Sequence, residues 1–328
     1  MLTDERMKQI AAGIDIGGTN TAIGLVDRDG KVHDTISLPT RGYPDVNDFV
    51  ESVCKHIQQM TKNLSDCELA GVGIGSPNGN YYRGTVEFAP NLAWKGVVPL
   101  AKLFSERLNV PAFLDNDANA ATAGEMIYGA AKELSEFIMI TLGTGVGSGI
   151  VVNGNIVRGH DGFAGEVGHT IVVPDGRTCG CGRKGCLEGY VSATGVRRTI
   201  VEKLSHESCQ SSLRDLPPDK LDSKSIYDAA MEGDTVAQEA FEETGRILGL
   251  ALANAVAFTA PEVIFIFGGL AKAGQMLFDP IRKHFEDNLL HIYKDKVRIE
   301  PSSLSDFDAA ILGASAMVWH RIPAEKED

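Results

Sequence analysis

The sequence predicts an α/β fold made of two related domains, and three observations carry that expectation. Short apolar strands alternate with helix-spaced segments along most of the chain, the pattern of sheets covered by helices. A strand, glycine turn, strand, turn, strand unit near the N-terminus returns in pattern from Phe137 onward. The length of 328 residues suits about two domains of ~150 residues each.

Taken in order, Ile10–Ile16 is apolar and ends at the turn Gly17-Gly18. Thr21–Val26 leads to the hairpin signal Asp29-Gly30, and Val32–Leu38 follows, which predicts three sequential strands. Between 45 and 62, Val46, Phe49, Val50, Val53, Ile57 and Met60 recur at the spacing of one helical face. Phe137–Leu142 ends at Gly143-Thr144-Gly145; Ser148–Val152, the turn Asn153-Gly154 and Ile156-Val157 follow. Laying Ile16-Gly17 on Leu142-Gly143 brings Leu25-Val26 onto Val151-Val152, so the unit occurs twice. Two facing domains, each offering a glycine turn to a shared cleft, would account for that duplication. The polar stretch 205–225, with Pro217-Pro218, is expected to be a surface loop. Asp234–Thr259 predicts a long helix capped by Asp234 and stopped before Pro261. Val263–Phe267 predicts a buried strand running into Gly268-Gly269, and a further helix is expected from about Ala271 to Leu290. The terminal Ala324–Asp328 is expected to be a solvated tail.

With 43% hydrophobic and 23% charged residues, the chain can bury a large core. Lys+Arg 31 against Asp+Glu 44 gives a net charge of −13, which argues against nucleic-acid or membrane-surface partners. The start MLTDERMKQI carries charges where a secretory signal needs an apolar stretch, and no apolar run approaches the ~18–20 residues of a membrane span. A cytoplasmic protein is expected.

Three glycine turns follow strands: Gly17-Gly18-Thr19, Gly143-Thr144-Gly145 and Gly268-Gly269. Glycine lets backbone N–H groups approach an anion, and a threonine hydroxyl adds a donor. Asp15, just before the first turn, is placed to hold Mg²⁺ through water. No GxxxxGK[ST] occurs, and these turns lack the GxGxxG of a dinucleotide fold. Asp115-Asn116-Asp117 joins an apolar strand to an alanine-rich helix. One of the three suffices as a helix cap, and the excess acid is suited to accept a proton from a substrate hydroxyl. His169, at the end of Gly165-Glu166-Val167-Gly168-His169, together with Cys179, Cys181 and Cys186, has the ligand types of a closed Cys₃His zinc site. Gly180, Gly182 and Gly185 allow the loop to wrap a metal. Cys54, Cys67 and Cys209 stand apart and are expected to be ordinary apolar or surface residues.

Together DIGGT, NLAW (Asn91 to Trp94), LDNDANAA, LGTGVGSG, GEVGH, CGCGRKGCLE and PEVIFIFGG resemble the ROK sugar kinases, from about residue 10 to 315. The pattern is nearest to the family's glucose-phosphorylating bacterial members. The resemblance implies the actin-like, hexokinase-type fold, with ATP and sugar in a cleft between two α/β domains. It implies an N-terminal domain of residues 1–117 with 308–328, a C-terminal domain of 118–307 bearing the zinc loop, and a helix after residue 308 that packs back on the first domain. It also implies a homodimer. Carried over by motif, Asp117 is the catalytic base; Asn91, Asn116, Glu166, His169 and Glu188 are sugar contacts. Asp15, Gly18, Thr19, Gly143, Thr144, Gly268 and Gly269 match ATP positions, with Gly17 and Gly145 in the same turns. ATP, Mg²⁺ and a structural Zn²⁺ are the implied cofactors. The family pattern GxGxPG departs at Asn78, which stands between Pro77 and Gly79.

The expected reaction is phosphorylation of a hexose 6-hydroxyl, glucose foremost, with N-acetylhexosamine or fructose kinases as alternatives on the same scaffold. A sugar-responsive repressor is disfavoured, because only the residues before Asp15 precede DIGGT, too few for a helix-turn-helix domain.

Overall fold

The computed structural model describes residues 7–206, 210–217, 219–304 and 309–322. The chain divides into unit 1, Met1–Leu134 with Ile156–Ala164 and Ser303–Asp328, and unit 2, Ser135–Asn155 with Gly165–Ser302.

In unit 1 the three expected strands form as β1 (Lys8–Ile16), β2 (Asn20–Val26) and β3 (Val32–Pro39), paired antiparallel in sequence. Helix α1 (Val46–Lys62) starts where the Asp45 side chain accepts the Asn47 N–H, and its predicted face, Phe49, Val50, Val53, Ile57 and Met60, is buried with Ile10, Ile14, Ile23 and Ile74. Next comes β4 (Cys67–Ser76), parallel to β1. A small antiparallel sheet of β5 (Gly79–Asn80), β6 (Thr85–Glu87) and β7 (Val97–Val98) precedes helix α2 (Leu100–Leu108). Strand β8 (Ala112–Asn116) lies parallel to β4, completing the order β3-β2-β1-β4-β8, and helix α3 (Asp117–Ile127) leaves it directly. The register sets Asp15 beside Gly75 and Gly75 beside Asp115. Three parallel strands thus end together, the place where α/β sheets bind ligands.

The other face of this sheet carries the helix Ala309–Arg321, the helix expected after residue 308. It sits at backbone distance. A Cβ on Gly13 would overlap the Ile311 carbonyl, and one on Gly73 the Ala314 carbonyl. Helix α3 meets the same helix just as closely, since a Cβ on Gly313 would lie 2.5 Å from the Ala120 carbonyl oxygen.

Unit 2 repeats the plan. Strands β9 (Phe137–Leu142), β10 (Val146–Val152) and β11 (Asn155–Ile156) are followed by helices α4 (Glu188–Val191), α5 (Ala193–Leu204), α6 (Ser223–Met231) and α7 (Thr235–Thr259). Strand β12 (Val263–Phe267), helix α8 (Gln275–Asn288) and strand β13 (Arg298–Pro301) complete it, in sheet order β11-β10-β9-β12-β13. As in unit 1, the first two strands pair antiparallel and the last two add parallel to the first. The core joins Ile138, Ile140 and Leu142 to Leu248, Leu252 and Val256 of α7. Asp234 caps α7 by accepting the Val236 and Ala237 N–H groups, and the helix stops at Ala260 (φ 44°) before Pro261. Among the described residues no helix is long and apolar enough to cross a membrane.

Three expectations change. The helix expected from Ala271 begins at Gln275, because Gly269–Ala273 is a 3₁₀ turn broken off by Gly274 at φ 56°. Within 205–225, a 3₁₀ turn at Ser212–Asp215 buries Leu213, and α6 begins at Ser223 behind its Asp222 cap. The boundary falls after Leu134 rather than 117, and residues 156–164 and 303–307 also belong to unit 1, because α3 packs on the helix Ala309–Arg321. Cys54 is buried and Cys67 half-buried; Cys209, Pro218 and the tail 324–328 lie outside the described residues.

Gly73→Ala places a methyl against backbone that cannot swing aside. Overpacking of this kind costs roughly 1–3 kcal/mol. The urea midpoint of the first transition is expected to fall accordingly, whereas Gly154→Ala, at a loop with open space around it, costs only its positive-φ strain.

Candidate active site

At the joint end of β1, β4 and β8, Asp15 and Asp117 flank Gly75. A Cβ on Gly75 would lie 3.6 Å from Asp15 Oδ1 and 3.7 Å from Asp117 Cα. Burial first, and the Asp117 charge second, push the Asp15 carboxyl up to about 6. Asp117 is itself raised by desolvation, against the lowering effect of the Ala118 N–H, while its side chain stays open to solvent. The excess acid in Asp115-Asn116-Asp117 resolves into three jobs. Asn116 is the cap, its Oδ1 accepting the Ala118 N–H at 2.8 Å. Asp115 is fully buried and takes the Arg158 guanidinium at 2.7 Å. Only Asp117 is left facing solvent.

The first glycine turn is closed by the Gly17 N–H on the Asn20 carbonyl, and Thr19 is exposed. Gly18 lies against Asn91: a Cβ on Gly18 would sit 2.9 Å from Asn91 Cβ. Asn91 is exposed, held by buried Leu92 and by Trp94, whose Nε1 donates to the Tyr43 carbonyl at 3.0 Å. The departure at Asn78 is absorbed locally. Asn78 adopts the left-handed region (φ 52°), which asparagine tolerates, and its Nδ2 donates to the Glu87 carbonyl. Gly79 beside it packs directly on the Asp115 carbonyl, where a Cβ would overlap.

In unit 2 the Gly143-Thr144-Gly145 turn is backed by the start of α5: the Ala193 N–H donates to the Gly143 carbonyl and Thr194 Oγ1 to that of Thr144. Gly268, at φ 108°, abuts Leu142, whose carbonyl oxygen would be 2.5 Å from a Cβ. The second and third glycine turns are therefore neighbours, and Gly143 and Gly269 both have open space where a side chain would stand. Glu188 lies beside Gly145, with Oε2 accepting the Val146 N–H at 3.1 Å. Glu166 is exposed on a turn pinned by Ser148, whose hydroxyl donates to the Gly165 carbonyl and accepts the Val167 N–H.

The donor atoms of His169, Cys179, Cys181 and Cys186 all lie within 4.8 Å of one another. His169 Nδ1 is 3.6 Å from Cys179 Sγ, and the sulfurs of Cys181 and Cys186 are 3.7 Å apart. His169 thus turns Nδ1 to the cysteines. Cys181 is exposed, and the Arg183 backbone N–H draws its thiol down to about 6. Cys179 Sγ stands 3.3 Å from Glu188 Oε1. Arg177 fastens the loop to α5: it donates to the Gly189 and Gly195 carbonyls and to Glu202, over the Tyr190 ring.

Residues 11–321 match the ROK family. The chain belongs to that family. Among its relatives in the family is the glucokinase of Thermotoga maritima, 37% identical over 314 residues, 94% of this chain and 97% of that one. A ROK family glucokinase from Streptomyces griseus, solved in complex with glucose and AMPPNP, has a TM-score of 0.78 at 34% identity, covering 94% of this chain and 98% of that chain. The xylose repressor of Caldicellulosiruptor bescii is 32% identical over 273 residues, 83% of this chain and 66% of its own. The fold is the actin-like, hexokinase-type arrangement, built on two five-stranded sheets of one topology.

Sequence reasoning did not single out Arg158, Ser148 or Arg177. Each sits in a segment with no motif that points to it, and its partner lies far along the chain or in a turn whose shape no spacing reveals.

Ionising Asp15 works against the fold, since its folded pKa lies above the model-compound value of 3.8. The penalty is absent below about pH 4, grows through the pH 4–6 interval and is complete above it. Asp15→Asn is therefore expected to stabilise the ligand-free protein at pH 8, by at most about 3 kcal/mol. Calorimetry should show that gain shrinking as pH is lowered toward 4.5; a gain independent of pH would mean that charge is not its source.

Proposed function

We propose that this chain transfers the γ-phosphoryl group of ATP to the 6-hydroxyl of a hexose, with glucose as the substrate. The observation that carries this reading is Asp117, a solvent-facing carboxylate beside Asp15 at the joint strand ends, on a chain 37% identical to a glucokinase. Asn91 and Asn116 of unit 1 and Glu166, His169 and Glu188 of unit 2 are the proposed partners of the other sugar hydroxyls. Asp117 accepts the proton of the 6-hydroxyl as that oxygen bonds to the γ-phosphorus. The bond from γ-phosphorus to the bridging oxygen breaks, and ADP leaves. A carboxyl raised toward the working pH is a better proton acceptor than an ordinary aspartate, provided it is still ionised. The turns Gly17-Gly18-Thr19, Gly143-Thr144-Gly145 and Gly268-Gly269 are proposed to receive ATP, their N–H groups meeting phosphate oxygens. Asp15 would hold Mg²⁺, which supplies charge neutralisation at the β- and γ-phosphates.

Asp117→Asn keeps the shape and removes the base. A loss of 10²–10⁴-fold in kcat is expected, with glucose affinity by calorimetry nearly unchanged. Near wild-type kcat would remove Asp117 from the role. A coupled assay across glucose, N-acetylglucosamine, N-acetylmannosamine, mannose and fructose tests the substrate, with glucose expected to have the highest kcat/KM.

The same reading assigns one structural zinc to His169, Cys179, Cys181 and Cys186. A tetrahedron with Zn–S of about 2.3 Å and Zn–N of about 2.05 Å has S···S edges of about 3.8 Å and S···N edges of about 3.6 Å. The separations of 3.7 and 3.6 Å support that occupant. Four protein ligands leave no position for a reactive water, so the metal's contribution is to hold the loop. Because Cys179 borders Glu188, Cys181→Ala is expected to lose the zinc and weaken glucose binding about 10-fold or more, with ATP binding little changed. Metal analysis and separate titrations check both halves; a zinc-free variant with wild-type glucose affinity would uncouple the loop from the sugar.

A further inference from the structure

The base needs a fixed corner to stand on, and the sequence around it does not supply one by itself. Asp117 follows the last strand residue without a loop, so its position is set by the peptide of Asn116 and the first turn of α3. Both are held by one carboxylate. Asp115, with no exposed surface, accepts the Asn116 N–H at 2.8 Å and Asn119 Nδ2 at 2.9 Å through Oδ1, and Arg158 Nε at 2.7 Å through Oδ2. The only cation on that carboxylate among the described residues comes from residues 156–164, the stretch that belongs to unit 1 although the chain on both sides belongs to unit 2. The guanidinium is itself fixed: it lies 3.7 Å above the Tyr81 ring, and it is only 16% exposed. The stretch is tied down again where Asn80 Nδ2 donates to the Asp161 carbonyl and Arg83 pairs with Asp161.

We infer that Arg158 is a positioning residue for the proposed phosphoryl transfer, acting through Asp115 to hold Asp117 in line. The inference rests on Asp117 being the base. Arg158 touches neither sugar nor nucleotide in this scheme. Its part is to pair with a buried carboxylate and orient it, so that Asp115 goes on accepting from the Asn116 peptide and from Asn119. Without it, a buried charge has no counter-ion and the corner must rearrange to reach water. A misplacement of about 1 Å at a reacting group is enough to cost about 10²-fold in rate. Of the proposed sugar contacts only Asn116 shares this corner, and Asn91, Glu166, His169 and Glu188 stand outside it, so the loss should fall chiefly on kcat and only slightly on the KM for glucose.

The test is steady-state kinetics of the full chain with glucose and Mg-ATP, run well below each variant's unfolding temperature. Wild-type turnover and its loss in Asp117→Asn are measured first, so that failure of the kinase reading shows separately. Arg158→Gln is expected to lower kcat about 30-fold or more, with both KM values within about threefold. The double variant Asp115→Asn/Arg158→Gln, which removes the buried charge along with its partner, is expected to recover part of that loss. If Arg158→Gln does not fold, Arg158→Lys carries the test: it keeps the charge but not the planar geometry of the guanidinium, and about a fivefold or greater loss in kcat is expected. A kcat within about threefold of wild type in the folded variant, a loss confined to KM, or a double variant with no recovery would each overturn the inference.

Discussion

The first sheet and its C-terminal helix touch through backbone, and the geometry of unit 1 follows from that approach. Glycine stands at positions 13 and 73 of neighbouring parallel strands, so the helix Ala309–Arg321 can sit with Ile311 and Ala314 carbonyls where side chains would otherwise be. The same helix accepts α3 through Gly313 and Gly124. One helix therefore fixes both the sheet that ends in Asp15 and the helix that begins with Asp117. Close packing transmits small displacements instead of absorbing them, which is what two carboxylates flanking one glycine require.

Electrostatics then divides the acidic residues by environment. Asp115 is deep and compensated by Arg158, Asp15 is largely buried and raised, and Asp117 is raised while facing solvent. Three carboxyls within one corner are thereby given different duties without any difference in residue type. In unit 2, a comparable economy places Glu188 between a glycine turn and a cysteine cluster, so one side chain senses both.

Much of this was open to inspection in the sequence. Strands read from apolar runs, the helix face of Val46–Lys62 and the Asp234 cap are short-range signals, and short-range signals survive folding. The repeated strand unit was visible because glycine turns sit at matching places, and it proved to be a repeat of sheet topology. The cysteine–histidine set was clear from ligand type alone. What escaped had a long-range cause. Nothing near Leu134 marks a boundary, because the attachment of α3 to unit 1 depends on a helix almost two hundred residues later. Arg158 lies between a hairpin and the GEVGH motif with no pattern of its own, and its partner is Asp115. The stretch 205–225 looked polar, yet Leu213 and Leu221 are both buried, and Leu213 lies in a fixed turn.

Unit 1 is assembled from three separate stretches of chain, and this has a bearing on biosynthesis. Its sheet strands leave the ribosome first, whereas the helix that covers them leaves last, after all of unit 2 has been made. For that interval the glycine-lined face of the sheet is an uncovered backbone surface. Unit 2, with its chain interrupted only by residues 156–164, ends at Ser302, so its last strand is made just before the helix that covers the first sheet. The contact of Ile311 with Gly13 joins nearly opposite ends of the sequence, and pairings so distant are slow to find. The N-terminal unit is thus the later of the two to be completed, although it is the earlier to be translated.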